Sequence, residues 1–291
     1  MRDKVTFFLV TTDHLSDRIW FKDDEDFKAA MNYIAAVKHD MDIIVLAFIL
    51  MSNHIHVVLG CTREEAFSFI TSLKRRYGVY YGIKYGAREF LRRNGVAIQA
   101  LDTSAESLER AIAYVQMNCV AANICHHPSL YRWGTGRCFF RDSRVQGTRL
   151  ETVSARKQYK LLHLKDKLPG QLILDNDGYI APESYVSTAF VESLFRTPGR
   201  YSYFLQNSSK AKRRLPASEG NIPSFRDQSI ISAMPDLCNS LFGKSRVSDL
   251  SEEETAEFIK QLRRRFSADV SQIGRITGLS YKDVVRYLDI F

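Results

Sequence analysis

The chain has 291 residues, with 41 Lys plus Arg against 33 Asp plus Glu and a net charge of +8 when histidine is neutral. With 45% apolar and 12% aromatic residues it can bury a substantial core, which excludes wholesale disorder and fits two domains better than one. The longest apolar stretch, 43–50, is too short to span a bilayer. Arg2, Asp3 and Lys4 precede a short apolar run with no cleavable-signal pattern, so a cytoplasmic protein without a membrane partner is expected.

In chain order, residues 5–12 read as a short strand, and 23–39 place Phe27, Ala30, Met31, Ile34 and Val37 at helical spacing. Residues 42–50 form a continuous apolar run that fits a buried strand, Met51-Ser52-Asn53 is a tight connection, and 54–59 is a second strand, so the pair reads as a hairpin. Residues 63–81 are helical in pattern and 96–101 offer another strand. Thr103 with Glu106 makes a capping-box signature ahead of Leu108, Ile112, Val115 and Val120, which predicts a helix from about 104 to the low 120s. The order β-α-β-β-α-β-α predicts an α+β fold with a ferredoxin-like antiparallel sheet and helices on one face.

Beyond Trp133, Asp175-Asn176-Asp177-Gly178 reads as a hairpin turn between apolar runs, because the other ligands of a calcium loop are missing. Residues 207–221 are polar and basic and read as a linker or mobile loop. From 252 the chain is helical again. Residues 272–288 read as two short helices joined at Gly278-Leu279-Ser280, with Ile273, Ile276, Leu279, Val284 and Leu288 as their core. This predicts a helix-turn-helix, with Ser280, Tyr281, Lys282 and Arg286 on its second helix free for a groove or phosphate of duplex DNA and Arg263, Arg264 and Arg265 just upstream attracting the backbone. An ordinary helical hairpin that docks on the rest of the chain fits the same pattern. The expected division is a catalytic domain over 1–140, an extension over 141–250 and a mainly helical DNA-binding module over 251–291.

His54-Ile55-His56 lies in a strand, where residues i and i+2 face the same side with α-carbons roughly 6.6 Å apart, so two imidazoles can share one ion. Taken alone, the pair is equally at home as surface or hydrogen-bonded core histidines. Tyr114 and Asn118 are four residues apart on a helix, which sets a phenol and an amide oxygen on one face. A phenol of pKa about 10 is a poor nucleophile at neutral pH. A divalent cation that polarises a phosphate lowers the barrier, and imidazole nitrogens with an amide oxygen suit Mg²⁺ or Mn²⁺.

Residues 51–59, Met-Ser-Asn-His-Ile-His-Val-Val-Leu, resemble the histidine-hydrophobe-histidine (HUH) signature of single-tyrosine transposases, and Ala113-Tyr114-Val115-Gln116-Met117-Asn118 resembles their tyrosine helix. Pro128 to Trp133 resembles the stretch that follows in the REP-associated tyrosine transposase branch, so the likeness covers about residues 1–140. It implies a HUH nuclease core that cleaves and rejoins hairpin-containing single-stranded DNA through a 5′-phosphotyrosine. Tyr114 is then the nucleophile, and His54, His56 and Asn118 ligate the metal. The chain departs from the branch at Cys119, where proline is usual, at 120–123, which lacks the common arginine and glycine, and at Gly134-Thr135, where two serines are common.

Lys74, Arg75, Arg76 and Tyr77, followed by Tyr80, Tyr81, Tyr85, Arg88, Phe90, Arg92 and Arg93, interleave cations with rings as a single-strand path requires. A solvated basic helix face with its rings in the core fits them equally. Two other functions share part of the pattern: a replication-initiator or relaxase nickase, and a non-catalytic, sequence-specific DNA-binding regulator derived from a transposase. The protein is expected to be a monomer or homodimer. The positive charge is uneven, with net −3 over 1–60, +5 over 61–140 and +6 over 141–291.

Overall fold

A computed structural model describes residues 6–13, 19–86, 95–102, 104–122, 124–141, 145–164, 167–208, 227–266, 268 and 270–289. The expected order of the first seven elements is observed: β1 (Thr6–Thr12), α1 (Asp24–Asp40), β2 (Ile44–Met51), β3 (His54–Cys61), α2 (Arg63–Tyr85), β4 (Val96–Ala100) and α3 (Ala105–Gln116). The strands form one antiparallel sheet in the order β2-β3-β1-β4. Ser52 and Asn53 close the β2–β3 hairpin, and its register sets Ile49 and Thr11 on either side of His56.

All eight residues of β3 are buried. Side chains alternate between the faces of a strand, so both faces of β3 are covered and the expected one-sided helical layer is not what surrounds it. The histidine face opens toward β4. Thr11, beside His56, is half-buried, its neighbour Ala97 on β4 is exposed, and so is Gln99 opposite Leu9.

Helix ends follow capping chemistry. Asp23 and Asp26 form a capping box on α1, Thr62 and Glu65 form one on α2, and Gly86 ends α2 in the left-handed region at φ 75°. For α3, the expected cap Thr103 lies outside the described residues; Ser104 is the N-cap and accepts the Ser107 amide at 3.2 Å. At the α1 cap, Lys84 reaches both carboxylates, 2.6 Å from Asp23 and 2.8 Å from Asp26. Burial pushes both carboxyls up. At Asp23 the Lys84 hydrogen bond and charge outweigh it and hold the group below the ordinary 3.8; at Asp26, burial and the Asp23 charge win and the group is raised.

Removing the ammonium in Lys84→Met raises both carboxyls above their unfolded values. The folded variant then holds protons that its unfolded chain has released, and its stability falls as pH climbs through that window. The wild type keeps the opposing Asp23 contribution, which is present above 3.8. The stability gap between wild type and Lys84→Met therefore widens from pH 4 to pH 7 in urea denaturation; an equal gap at both pH values contradicts the assignment.

Packing continues past residue 140. A short helix α4 (Asn118–Ala121) follows α3, then β5 (Thr148–Arg149), α5 (Ala155–Leu162), β6 (Ile173–Leu174), α6 (Thr188–Phe195) and α7 (Pro198–Gln206), and one apolar cluster runs from Phe8 to Leu205. The Asp175–Gly178 segment is the expected tight turn: the Gly178 amide donates to the Asp175 carbonyl at 3.0 Å, and the carboxylates of Asp175 and Asp177 pair with Arg137 and Arg132. His127 accepts the Ser129 amide at 3.2 Å at the start of a 3-10 turn.

A second cluster joins Ile19 to α8 (Asp227–Phe242), α9 (Glu252–Phe266), α10 (Val270–Thr277) and α11 (Tyr281–Asp289). Ile273, Ile276 and Val284 are buried in it, with Leu279 and Leu288 packed alongside, as the spacing requires. Gly278, at φ 76°, makes the bend between α10 and α11. The two clusters meet through Lys22, paired with Asp236 at 2.8 Å, and through Arg265. No described helix is long and apolar enough to cross a membrane.

Candidate active site

The β3 strand turns His54 and His56 to one face with ring centroids 4.8 Å apart and planes at 87°. Each ring is steered through Nδ1. His54 meets the Asn53 amide oxygen at 2.7 Å, and His56 meets the Thr11 hydroxyl at 2.8 Å. An amide oxygen only accepts, so His54 Nδ1 carries the proton and Nε2 presents its lone pair. The Thr11 hydroxyl can accept or donate, so it orients the His56 ring under either tautomer. Nε2 of both rings is buried. An oxygen partner on one nitrogen that aims the other is the arrangement of metal-binding histidines.

Tyr114 comes to this pair from α3. Its half-buried ring stands edge-on to His56 with centroids 5.5 Å apart and planes at 84°. The helix is seated by the apolar residues Leu108, Ile112 and Val115 and held at two polar points. Glu109, fully buried, takes a two-point bond from Arg200 of α7, with the second contact at 2.7 Å. Gln116 donates to the Thr135 hydroxyl at 2.7 Å, and that hydroxyl also accepts the Phe48 amide of β2 at 3.0 Å. Residues 131–135 strap the β2 edge: Leu50 donates to the Trp133 carbonyl, and the Tyr131 hydroxyl donates to the Leu50 carbonyl, at 2.8 and 2.7 Å. Gly134 allows the close pass, because a β-carbon there would lie 3.1 Å from the Phe48 carbonyl oxygen.

The helix is interrupted at Met117, and Asn118 opens α4 with its amide nitrogen on the carbonyls of Tyr114 (2.9 Å) and Val115 (3.2 Å). That bond satisfies carbonyls at the helix end and engages the amide nitrogen, so Oδ1 is the atom of Asn118 with lone pairs to offer a cation. Among the described residues no three His, Cys, Asp or Glu side chains cluster as a metal site. Two imidazole nitrogens and one amide oxygen fit a divalent ion that takes its remaining ligands from phosphate and water.

The proposed DNA contacts divide. Arg75 is exposed, Arg76 pairs with Asp40 at 2.6 Å, and Lys74 is half-buried, its ammonium pushed below the ordinary range by burial against the opposing charge of Asp13. Tyr77 is corrected: its ring is buried and its hydroxyl donates to the Trp20 carbonyl, because α2 turns the stripe Phe69, Ile70, Leu73, Tyr77 and Tyr81 into the core. It cannot stack on a base. Arg88, Phe90, Arg92 and Arg93 lie outside the described residues. Tyr281, Lys282 and Arg286 are exposed on α11, with Arg286 3.2 Å from Glu252, while Arg263 and Arg264 line a cavity beside α9. Sequence reasoning missed Thr11, Asn53, Glu109 and Thr135. Asn53, next to the first histidine, was the one legible signal.

No family model matches the chain, and no curated protein matches it. A comparison with solved structures finds a likeness to a chain described as the structure of the REP associates tyrosine transposase bound to a REP hairpin. That likeness has 14% identity and a TM-score of 0.38, and it covers 47% of this chain and 82% of that one.

Proposed function

We propose that the chain cleaves and rejoins single-stranded DNA, with Tyr114 as nucleophile and His54, His56 and Asn118 as ligands of a divalent metal ion, Mg²⁺ or Mn²⁺. The observation that carries this reading is the contact between β3 and α3, which sets the Tyr114 ring against His56 beside its paired His54. A HUH nuclease on a ferredoxin-like core is the architecture the strand order β2-β3-β1-β4 supports.

In the reaction the Tyr114 oxygen bonds to phosphorus as the bond to the 3′-oxygen breaks. The phenol proton passes to water and the departing oxygen takes one up, leaving a 5′-phosphotyrosine and a free 3′-hydroxyl. Rejoining reverses the step and needs no nucleotide triphosphate, since the phosphotyrosine keeps the phosphodiester energy. A metal ion, when bound, supplies charge neutralisation at the attacked phosphate. Thr11 and Asn53 fix the ligand rings, and the anchors at Glu109 and Thr135 fix the helix that presents the phenol, so little reorganisation is left for the reactive pose. The exposed Ala97 and Gln99 of β4, beside the half-buried Thr11, mark the side from which a strand would approach the buried histidines. Hairpin-containing single-stranded DNA is the substrate class, with duplex DNA a second partner through α10 and α11.

The test incubates the full chain with single-stranded oligonucleotides covering the flanks of its own gene and reads covalent adduct on denaturing gels. Adduct forms with Mg²⁺ or Mn²⁺, disappears in EDTA, returns on adding metal, and maps to Tyr114 by peptide mass. Equal yield in EDTA overturns the metal's role. Tight binding with no adduct under any metal supports the DNA-binding regulator instead.

A further inference from the structure

The sheet carries more than the histidines on its catalytic face. Residues directly opposite in an antiparallel register share a face, so His56, Thr11 and Ala97 form one row, Val58, Leu9 and Gln99 the next, and Gly60 and Phe7 a third. Gly60 leaves the space that the Phe7 ring fills, because a β-carbon there would lie 3.0 Å from Phe7 Cε1. Burial falls along each row toward the sheet edge. His56 is buried, Thr11 half-buried and Ala97 exposed; Val58 is buried, Leu9 half-buried and Gln99 exposed. Beyond residue 140, α6 sets a second ring on Phe7. It is docked by buried Val191 and Phe195, by the Ser187 amide donating to the Val45 carbonyl of β2 at 2.9 Å, and by Glu192 accepting the Phe140 amide at 2.7 Å. Phe190, next to buried Val191, is left 40% exposed with its ring centroid 5.7 Å from that of Phe7 and the planes at 36°.

Resting on the single-strand cleavage reading, we infer that β1, β4 and α6 form a base platform for the strand engaged by Tyr114: Phe190 stacks on one base, and Leu9, Ala97 and Gln99 floor the path from that base to His56. A lone exposed phenylalanine is ordinary on a protein surface. Phe190 differs in position, because Phe7 ties it to the face that holds the metal pair. From Phe7 to Thr11 is four strand residues, about 13 Å, the length of about four stacked nucleotides. The chemistry selects the ligand. A ring backed by another ring is restricted in its motion and offers a face to any base, as single-strand binders require. The small side chains of Thr11 and Ala97 let a strand come close to the histidines, and the Gln99 amide has both a donor and an acceptor for a base edge. On this reading the extension beyond residue 140 contributes to the catalytic face: α6 supplies a substrate contact that the first 140 residues lack.

Binding is measured by anisotropy on the full chain carrying Tyr114→Phe, which blocks chemistry, with two fluorescent 30-mers: one of thymidine, and one with the same backbone but abasic sugars throughout. Phe190→Ala weakens thymidine binding roughly 5- to 150-fold, the range for one lost stacking ring, and leaves abasic binding within about twofold. Phe190→Trp keeps the thymidine affinity. Equal losses on both strands, or no loss on either, overturn the platform, because a structural role of α6 does not distinguish bases from bare backbone. If Phe190→Ala does not fold, photo-cross-linking of an iodouracil 30-mer to the Tyr114→Phe chain decides: cross-links on the peptide containing Phe190 support the platform, and cross-links confined to other peptides refute it. Adduct formation by the chain with Tyr114 intact is scored separately. Adduct without a Phe190 effect removes the platform alone; a base-dependent Phe190 effect without adduct removes the cleavage reading and leaves the platform as a binding surface.

Discussion

Tyr114→Phe lowers covalent adduct formation by about 10⁴-fold or more and leaves single-strand affinity within about twofold of wild type. The substitution removes one oxygen and keeps the ring, and the ring makes the edge-on contact with His56. The histidine pair keeps its own supports, because Thr11 and Asn53 hold it independently of α3. Loss of activity therefore reports the missing nucleophile and not a collapsed site. The effect is expected to be nearly complete, since a phenylalanine ring offers no atom that can bond to phosphorus, and water lacks the positioning of the bound phenol. The measurement is adduct yield over time with Mg²⁺ or Mn²⁺, with melting temperature and anisotropy as controls. Undiminished adduct moves the nucleophile to another residue; lost adduct together with lost binding points to a folding defect.

The first half of the fold was legible because its signals are local. Apolar runs with β-branched residues made β2 and β3, helical spacing made α1 and α2, and short-range side-chain caps set the helix starts. His54 and His56 could be placed on one face from strand periodicity alone. The meeting of His56 with Tyr114 is a fact of tertiary packing that no spacing encodes, and it entered the sequence reading only through resemblance. Thr11 was invisible for the same reason: it supports His56 through the β1–β3 register, which depends on how two distant strands align. Tyr77 shows the opposite failure. A ring beside Lys74, Arg75 and Arg76 fits a stacking surface as well as a core stripe until the helix's buried face is known. Gly134 and Thr135, a departure from the resembled branch, became intelligible once the strap on β2 and the bond from Gln116 were in view.

Arg265→Met is expected to cost about 2–4 kcal/mol of stability and to weaken the site without touching it. Arg265 is buried, and burial pushes its guanidinium below the ordinary range against the opposing charges of Asp24, Asp23 and Asp26. It donates to the Phe21 carbonyl at 3.0 Å and to the Gln261 amide oxygen at 2.7 Å, while its own carbonyl accepts the Ser52 hydroxyl. Methionine fills much of the volume, and deleting a buried charge relieves some desolvation. The loss still wins, because the Phe21 carbonyl and the Gln261 oxygen remain behind without their shared donor, and the nearby carboxylates without its charge. Arg265→Lys restores charge but not the planar fork, so it recovers only part of the stability. Ser52 leads directly into Asn53 and His54, and its carbonyl accepts the Trp20 and Phe21 amides, at 2.6 and 3.2 Å. A loosened α9 therefore frees the turn that orients the first histidine. The expected signature is a lower melting temperature together with a higher Mg²⁺ or Mn²⁺ concentration for half-maximal adduct, and Arg265→Lys falls between the two. A lower melting temperature with unchanged metal dependence makes Arg265 a clamp for the C-terminal helices alone; a rise in the metal requirement makes those helices part of the metal site's support.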